Sequence, residues 1–127
     1  VLADKSGLTH IANRPHAVQE RWPGGIYGLS NAETGKPWPR KDRLNRALTE
    51  WFAADGHDPV DLFDVLLDEQ CPVSGDPPIF IRNDIYGTRC STLVAVDGDG
   101  GGCIIERRFD RDGNFARESR FSFDWPI

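Results

Sequence analysis

The chain has 127 residues, enough for one modest domain and too few for two. Its formal net charge of -5, without a dense basic patch, argues against binding to nucleic-acid phosphates or to charged membrane surfaces. No apolar run is long enough to span a bilayer, so we expect no stable membrane insertion.

The first third of the chain predicts short strands. Residues 1–3 and 8–12 are strand-like runs separated by a segment of turn composition, which is typical of a hairpin. Residues 26–31 form a third short run that follows a Trp-Pro-Gly-Gly breaker. Gly35, Pro37 and Pro39 then indicate a stiff, irregular loop.

Two helices are predicted next, over residues 40–54 and 58–70. The first has one apolar stripe at helical spacing, formed by Leu44, Leu48, Trp51 and Phe52. Asp58 has the character of an N-cap and Pro59 suits the first helical position. The short connector between the helices predicts an antiparallel pair on one sheet face.

The remainder predicts strands at 79–81, 92–96, 103–109 and 117–123. Asp112-Gly113 is a strong hairpin signal between the last two strands. The run 92–96 is almost wholly apolar, which is typical of a strand covered on both faces. The element order predicts an α+β fold, mainly antiparallel sheet with two helices on one face. Because one helix pair cannot cover both faces, further protein is expected on the other side.

The cysteine and methionine content bears on the compartment and the origin of the chain. Cys71, Cys90 and Cys103 are odd in number and widely spaced, which favours free thiols in a reducing compartment. The three histidines show no ligand-like spacing, so no metal site is predicted. The chain contains no methionine, so we expect Val1 to arise from processing, from design or from a longer protein.

Two stretches carry a family resemblance. The first is the run 25–31, followed by Thr34 and by the Pro-Trp-Pro-Arg-Lys run at 37–41. The second is the run 85–92, which leads through an apolar strand to Ile-Glu-Arg-Arg-Phe at 105–109. Together they resemble the two sequence blocks of the NRDE family, also called the transport and Golgi organisation protein 2 family. Cys90 stands where the family pattern usually has serine.

The resemblance implies a fold and a missing partner. It implies an Ntn-hydrolase-like αββα sandwich in which residues 1–127 form a single-domain fragment, the C-terminal half of the family domain. The N-terminal half, supplied by the same chain or a separate one, would carry an early cysteine and the Asn-Arg-Asp-Glu stretch, neither of which occurs here. Val1 cannot act as an Ntn nucleophile, which needs a Cys, Ser or Thr side chain.

For function, the resemblance implies a cytoplasmic protein that binds or carries a small amphipathic ligand. The implied processes are haem trafficking and lipid or acyl-CoA homeostasis, with haem as one possible bound ligand. An aromatic wall of Tyr27, Trp38 and Tyr86 is expected, with Arg89 or Arg40 meeting a carboxylate or phosphate. The alternative for each aromatic residue is ordinary core packing.

Two other functions stay open. One is an Ntn-type cysteine amidohydrolase or acyltransferase whose nucleophile lies in the missing half. Asn31 would then donate its amide to an oxyanion and Arg89 would orient the nucleophile or substrate. Both readings predict that Asn31 and Arg89 converge on one site; otherwise Asn31 caps its loop and Arg89 pairs with Asp84. The third is a purely structural assembly factor.

Overall fold

In the computed structural model, the described residues form two antiparallel sheets and two short helices. The described residues are 1–4, 6–13, 16–29, 38–56, 58–71, 75 and 77–125. In chain order the elements are β1 (Leu2–Asp4), β2 (Gly7–Ala12), β3 (Val18–Trp22), α1 (Pro39–Ala53), a 3₁₀ turn (Pro59–Asp61), α2 (Leu62–Leu66), β4 (Cys90–Val96), β5 (Gly101–Phe109) and β6 (Phe115–Asp124). The α+β class, with mainly antiparallel sheet and two helices, is confirmed. The strands divide into two three-stranded sheets, β1-β2-β3 and β4-β5-β6.

In the first sheet, the predicted hairpin is confirmed and the predicted third strand is wrong. β1 and β2 pair antiparallel with Leu2 opposite Thr9. The strand that pairs next is β3, not the run after the Pro-Gly-Gly breaker. Residues 26–29 form no strand, and residues 30–31 lie outside the described part. Instead the segment lies against α1, where a Cβ on Gly28 would overlap the Lys41 and Asn45 side chains.

The first predicted helix is confirmed within one residue at each end, whereas the second is shorter than predicted. Asp58 caps the 3₁₀ turn as expected, because its carboxylate accepts the Val60 N–H at 2.9 Å. α2 ends at Leu66, before the predicted end at residue 70. Beyond it the Asp68 carbonyl accepts the Phe80 N–H, and Arg43 of α1 contacts the Asp68 carboxylate. These tertiary bonds replace the last helical turn.

In the second sheet, β5 lies between β4 and β6. Leu93 opposes Ile105, and Ile105 opposes Arg120. The strand predicted at 79–81 is wrong, since this region holds an isolated bridge between Arg82 and Gly87 instead. A three-residue apolar run does not distinguish a strand from a buried loop segment.

The core lies where one face of β5 meets α2 and the segment around Phe80. Phe63 is fully buried and Ile105 is 1 % exposed. The Phe80 ring meets Phe109 edge to face, with centroids 4.7 Å apart. Arg107 places its guanidinium carbon 4.0 Å from the centroid of the Phe63 ring. Its Nε is 2.9 Å from Oε2 of Glu118 on β6, so its charge is paired while its guanidinium lies over the Phe63 ring.

The other face of this sheet is open. Val94, Ile104 and Phe121 are direct cross-strand neighbours and form one apolar row on it. Val94 is 62 % exposed and Phe121 is 66 % exposed. We expected protein to pack on both faces of β4. Among the described residues, packing is found on one face, and the other face is exposed.

The Arg107 contact predicts a stability difference between two neighbouring arginines. We expect Arg107→Lys to lower the free energy of unfolding by about 1 kcal/mol, because lysine lacks the planar group that stacks on Phe63. Arg108→Lys is the matched control, since Arg108 lies on the opposite face and its side chain is 56 % exposed. Urea unfolding of both variants measures the difference. Equal unfolding midpoints of Arg107→Lys and Arg108→Lys would contradict a stabilising contact between Arg107 and Phe63.

The open row predicts self-association of the chain studied alone, because a contiguous exposed apolar patch drives contact between molecules. Phe121→Lys should reduce the concentration-dependent larger species seen in sedimentation velocity. Ala116→Lys, on an exposed part of the same strand, adds the same charge without removing an apolar ring. If the wild-type chain stays monomeric at all concentrations, or if both lysine variants reduce the larger species equally, the apolar row does not mediate self-association.

Candidate functional site

An apolar cavity of about 920 Å³ lies beside the helices at one end of the second sheet. Leu48, Trp51 and Phe52 reach it from α1, and Leu62 reaches it from α2. On the sheet side it is lined by Leu93, Ala95 and Cys103, which share the face of β4 and β5 that carries the core. Val94, Val96 and Phe123, which alternate to the opposite face of the sheet, also contribute to its lining. Three of the four residues of the apolar stripe predicted on α1 thus line the cavity without filling it, and Phe52 remains 62 % exposed.

Trp51 is held in place by a close backbone approach. A Cβ on Gly56 would overlap the indole ring, so only glycine leaves room for it after the end of α1. The Gly56 N–H donates to the Trp51 carbonyl at 2.9 Å, which turns the chain back over the ring. The position of this large cavity-lining side chain is therefore fixed by local structure.

A polar recess of about 970 Å³ lies at the other end of the same sheet. It is lined by a loop over residues 82–87, by Arg89 at the start of β4, and by the β5–β6 turn. The loop is closed by the Arg82–Gly87 bridge. Within it, Oδ1 of Asn83 accepts the N–H groups of Ile85 and Tyr86, both at 2.9 Å. These bonds set the direction of the Tyr86 backbone.

The turn between β5 and β6 is organised by Asp110. Its Oδ1 accepts the N–H groups of Asp112 and Asn114, at 2.9 and 2.8 Å. The hydrogen bond from the Asn114 backbone is the main cause that lowers the pKa of the Asp110 carboxyl below its ordinary value, and the nearby Arg89 charge adds to it. Among the described residues Arg89 forms no ion pair, so the alternative pairing with Asp84 is not formed there.

The residues predicted for the site lie in three places. Tyr86 and Arg89 line the polar recess together. Tyr27 stacks on Trp22 with centroids 4.4 Å apart and donates its hydroxyl to the Pro23 carbonyl.

Trp38 and Arg40 form a separate pair at the start of α1, with the guanidinium carbon 5.0 Å from the ring centroid. Asn31 lies outside the described residues. Its convergence with Arg89, and the catalytic role of both, therefore stay predictions.

Sequence reasoning missed two parts of these surfaces. Arg82 and Arg111 join Arg89 in the recess, although they are separated along the chain by folded elements. The apolar cavity was also missed, because an apolar helix stripe indicates only that a side is covered and not how completely. In the described part of the chain, no three His, Cys, Asp or Glu side chains group into a metal site. No described helix combines the length and apolarity that a bilayer crossing requires.

Comparison with known proteins gives one match. The family model described as Transport and Golgi organisation 2 matches residues 1–111, which include both sequence blocks noted above. No curated protein and no solved structure matches the chain.

The role of Asp110 predicts a pH-dependent contribution to stability. Because the folded pKa lies below the unfolded one, the stabilising effect is fully present above about pH 4 and is lost as pH falls through the folded pKa. Asp110→Ala should lower the melting temperature at neutral pH, and its difference from wild type should shrink in acid. Asp112→Ala is the control, since this carboxylate is 3.5 Å from exposed Arg111 and caps no described turn. A difference that is constant from pH 7 to about pH 2 would contradict the role of ionised Asp110.

Proposed function

Because the chain belongs to the Transport and Golgi organisation 2 family, we propose that it binds or carries a small amphipathic molecule. The apolar cavity beside α1 would hold the apolar part of that molecule. The cavity itself is the observation that carries the proposal: its volume of about 920 Å³ lies within the range of small-molecule sites, and its walls are mainly apolar.

The energetics favour an apolar guest. Each 100 Å² of apolar surface removed from water contributes about 2.5 kcal/mol to binding, before the cost of ordering the ligand. Phe52 and Trp51 add to this, because a guest would bury parts of their rings as well as its own surface. A polar ligand would gain less from these walls, since most of the lining side chains are apolar, although Asp97, Ser122 and Asp124 also belong to the lining.

Two ligand classes follow from the family resemblance: haem, and molecules with a long acyl chain. Both combine a large apolar body with anionic groups. Cys103 distinguishes them, because it is half-buried at the cavity and a cysteine thiolate is a known haem ligand. An acyl chain would need no such group.

The predicted binding is tested with haemin and with a fluorescent long-chain fatty acid. Ala95→Phe should fill the cavity and weaken binding of the true ligand class at least about tenfold, or about 1.4 kcal/mol. Thr92→Phe is the matched control, since it adds the same ring to the same strand on the opposite, exposed face. If haem is the ligand, Cys103→Ser should also shift the haem absorption band.

The outcomes separate cleanly. Binding of one probe that is lost in Ala95→Phe and kept in Thr92→Phe supports the proposal. Binding of neither probe by the folded wild type, or equal loss in both variants, overturns it. Thermal unfolding of Ala95→Phe verifies that the variant is folded, and Leu48→Trp from the helix side repeats the test if it is not.

The open row of Val94, Ile104 and Phe121 supports a further part of the proposal. We propose that this face packs against a second sheet, as in the sandwich expected of the family, and that the N-terminal half of the family domain supplies it. The three free cysteines, two of them exposed, favour a reducing compartment such as the cytoplasm. The amidohydrolase alternative depends on Asn31 and on a nucleophile outside this sequence, and no contact among the described residues favours it.

A further inference from the structure

We propose that the polar recess formed by loop 82–87, Arg89 and the β5–β6 turn is a second site, for a small organic anion. Its ligand would carry a phosphate ester or a carboxylate on a flat, unsaturated body. This site is distinct from the apolar cavity, because β4 begins beside the recess and ends beside the cavity. Seven strand residues place the two roughly 20 Å apart.

The arginines of the recess are the feature that suits an anion. Three guanidinium groups line it, those of Arg82, Arg89 and Arg111, against the two carboxylates of Asp84 and Asp112. Arg82 and Arg111 already face the carboxylates of Glu69 and Asp112, so Arg89 is the arginine of the three that lies in no ion pair among the described residues. Guanidinium groups bind carboxylate and phosphate oxygens with paired hydrogen bonds, which makes them the usual recognition group for such anions.

Arg89 is the guanidinium best placed to donate to a ligand. Asp110, an acid whose carboxyl the Arg89 charge influences, already uses its oxygens to accept N–H groups of the Asp112 and Asn114 backbone and of the Asn114 amide. The Arg89 carbonyl accepts the Phe109 N–H at 2.9 Å, which anchors its backbone to β5. Arg89 thus combines a fixed backbone with a guanidinium that is in no ion pair within the described part of the chain.

Arg82 fixes one wall of the recess. Its Nη2 donates to the Gly113 carbonyl at 2.9 Å and lies 3.1 Å from Oε1 of Glu69. Gly113 has a φ of 78°, and a Cβ there would lie 2.9 Å from Nε of Arg82. The loop and the turn are therefore joined across the recess at a position that suits glycine.

Tyr86 is the reason why we expect the anionic ligand to contain a planar, unsaturated group. It lines the same recess, and its side chain is exposed although its backbone is fixed by Asn83. An exposed ring beside guanidinium groups can stack on an unsaturated ligand, which adds about 1 kcal/mol or more to binding. Inorganic phosphate alone would leave this ring unused.

The test measures the binding of phenyl phosphate and inorganic phosphate by calorimetry and by amide chemical shifts. We expect both to saturate, with phenyl phosphate the tighter ligand. Arg89→Gln should weaken both at least about tenfold. Tyr86→Ala should reduce phenyl phosphate to the affinity of inorganic phosphate and leave inorganic phosphate unchanged. Arg117→Gln, which removes an arginine exposed on β6, should change neither.

Equal weakening by Arg89→Gln and Arg117→Gln, or a response that never saturates, would overturn the proposal. A lipid headgroup could offer the same phosphate, so vesicles of phosphatidylcholine with and without phosphatidic acid form a separate arm. Binding to acidic vesicles without binding to phenyl phosphate would also overturn it. If Arg89→Gln fails to fold by thermal unfolding, Arg111→Gln replaces it, since that side chain is 89 % exposed.

Discussion

The contact of one face of β5 with two phenylalanine rings supports the rest of the second half of the molecule. Alternation along β5 directs Ile105, Arg107 and Phe109 to the same side. Arg107 covers Phe63 of α2, and Phe109 meets Phe80 edge to face. The first contact holds the helices over the sheet and leaves the apolar cavity beside them. The second holds the segment before loop 82–87 and thereby positions the polar recess.

The two family blocks therefore contribute to the packing of the fold. In the second block, Phe109 and Arg107 build the core, whereas Glu106 and Arg108 lie on the open face. In the first block, Gly28 allows the chain to run against α1. Several residues of the motifs that identify the family thus serve packing. Family membership alone therefore does not assign a binding role to each motif residue. Tyr86 and Arg89 differ from them, because their side chains line a recess.

Much of the fold could be predicted because periodicity and turn chemistry are local. α1, β4, β5 and β6 have apolar patterns long enough to identify, and the Asp-Gly turn fixes the last hairpin. β3 was missed because its three central residues are polar, and the second helix was predicted too long because tertiary bonds to Asp68 end it. The recess and the cavity depend on distances between elements, which no local pattern encodes. The sequence consequently indicated Tyr86 and Arg89, but not the two other arginines beside them.

The position of Trp51 gives the apolar cavity a built-in optical reporter. The chain has four tryptophans, and Trp51 is the one that lines the cavity in the described structure. The Gly56 backbone confines its indole ring, which restricts changes of rotamer. Its fluorescence emission therefore reports the atoms and water that contact the ring. A haem guest would quench that emission by energy transfer, whereas an acyl guest would shift it to shorter wavelength by displacing water. Replacing the other three tryptophans with phenylalanine would leave a chain whose intrinsic fluorescence comes from Trp51 and distinguishes the two classes of ligand.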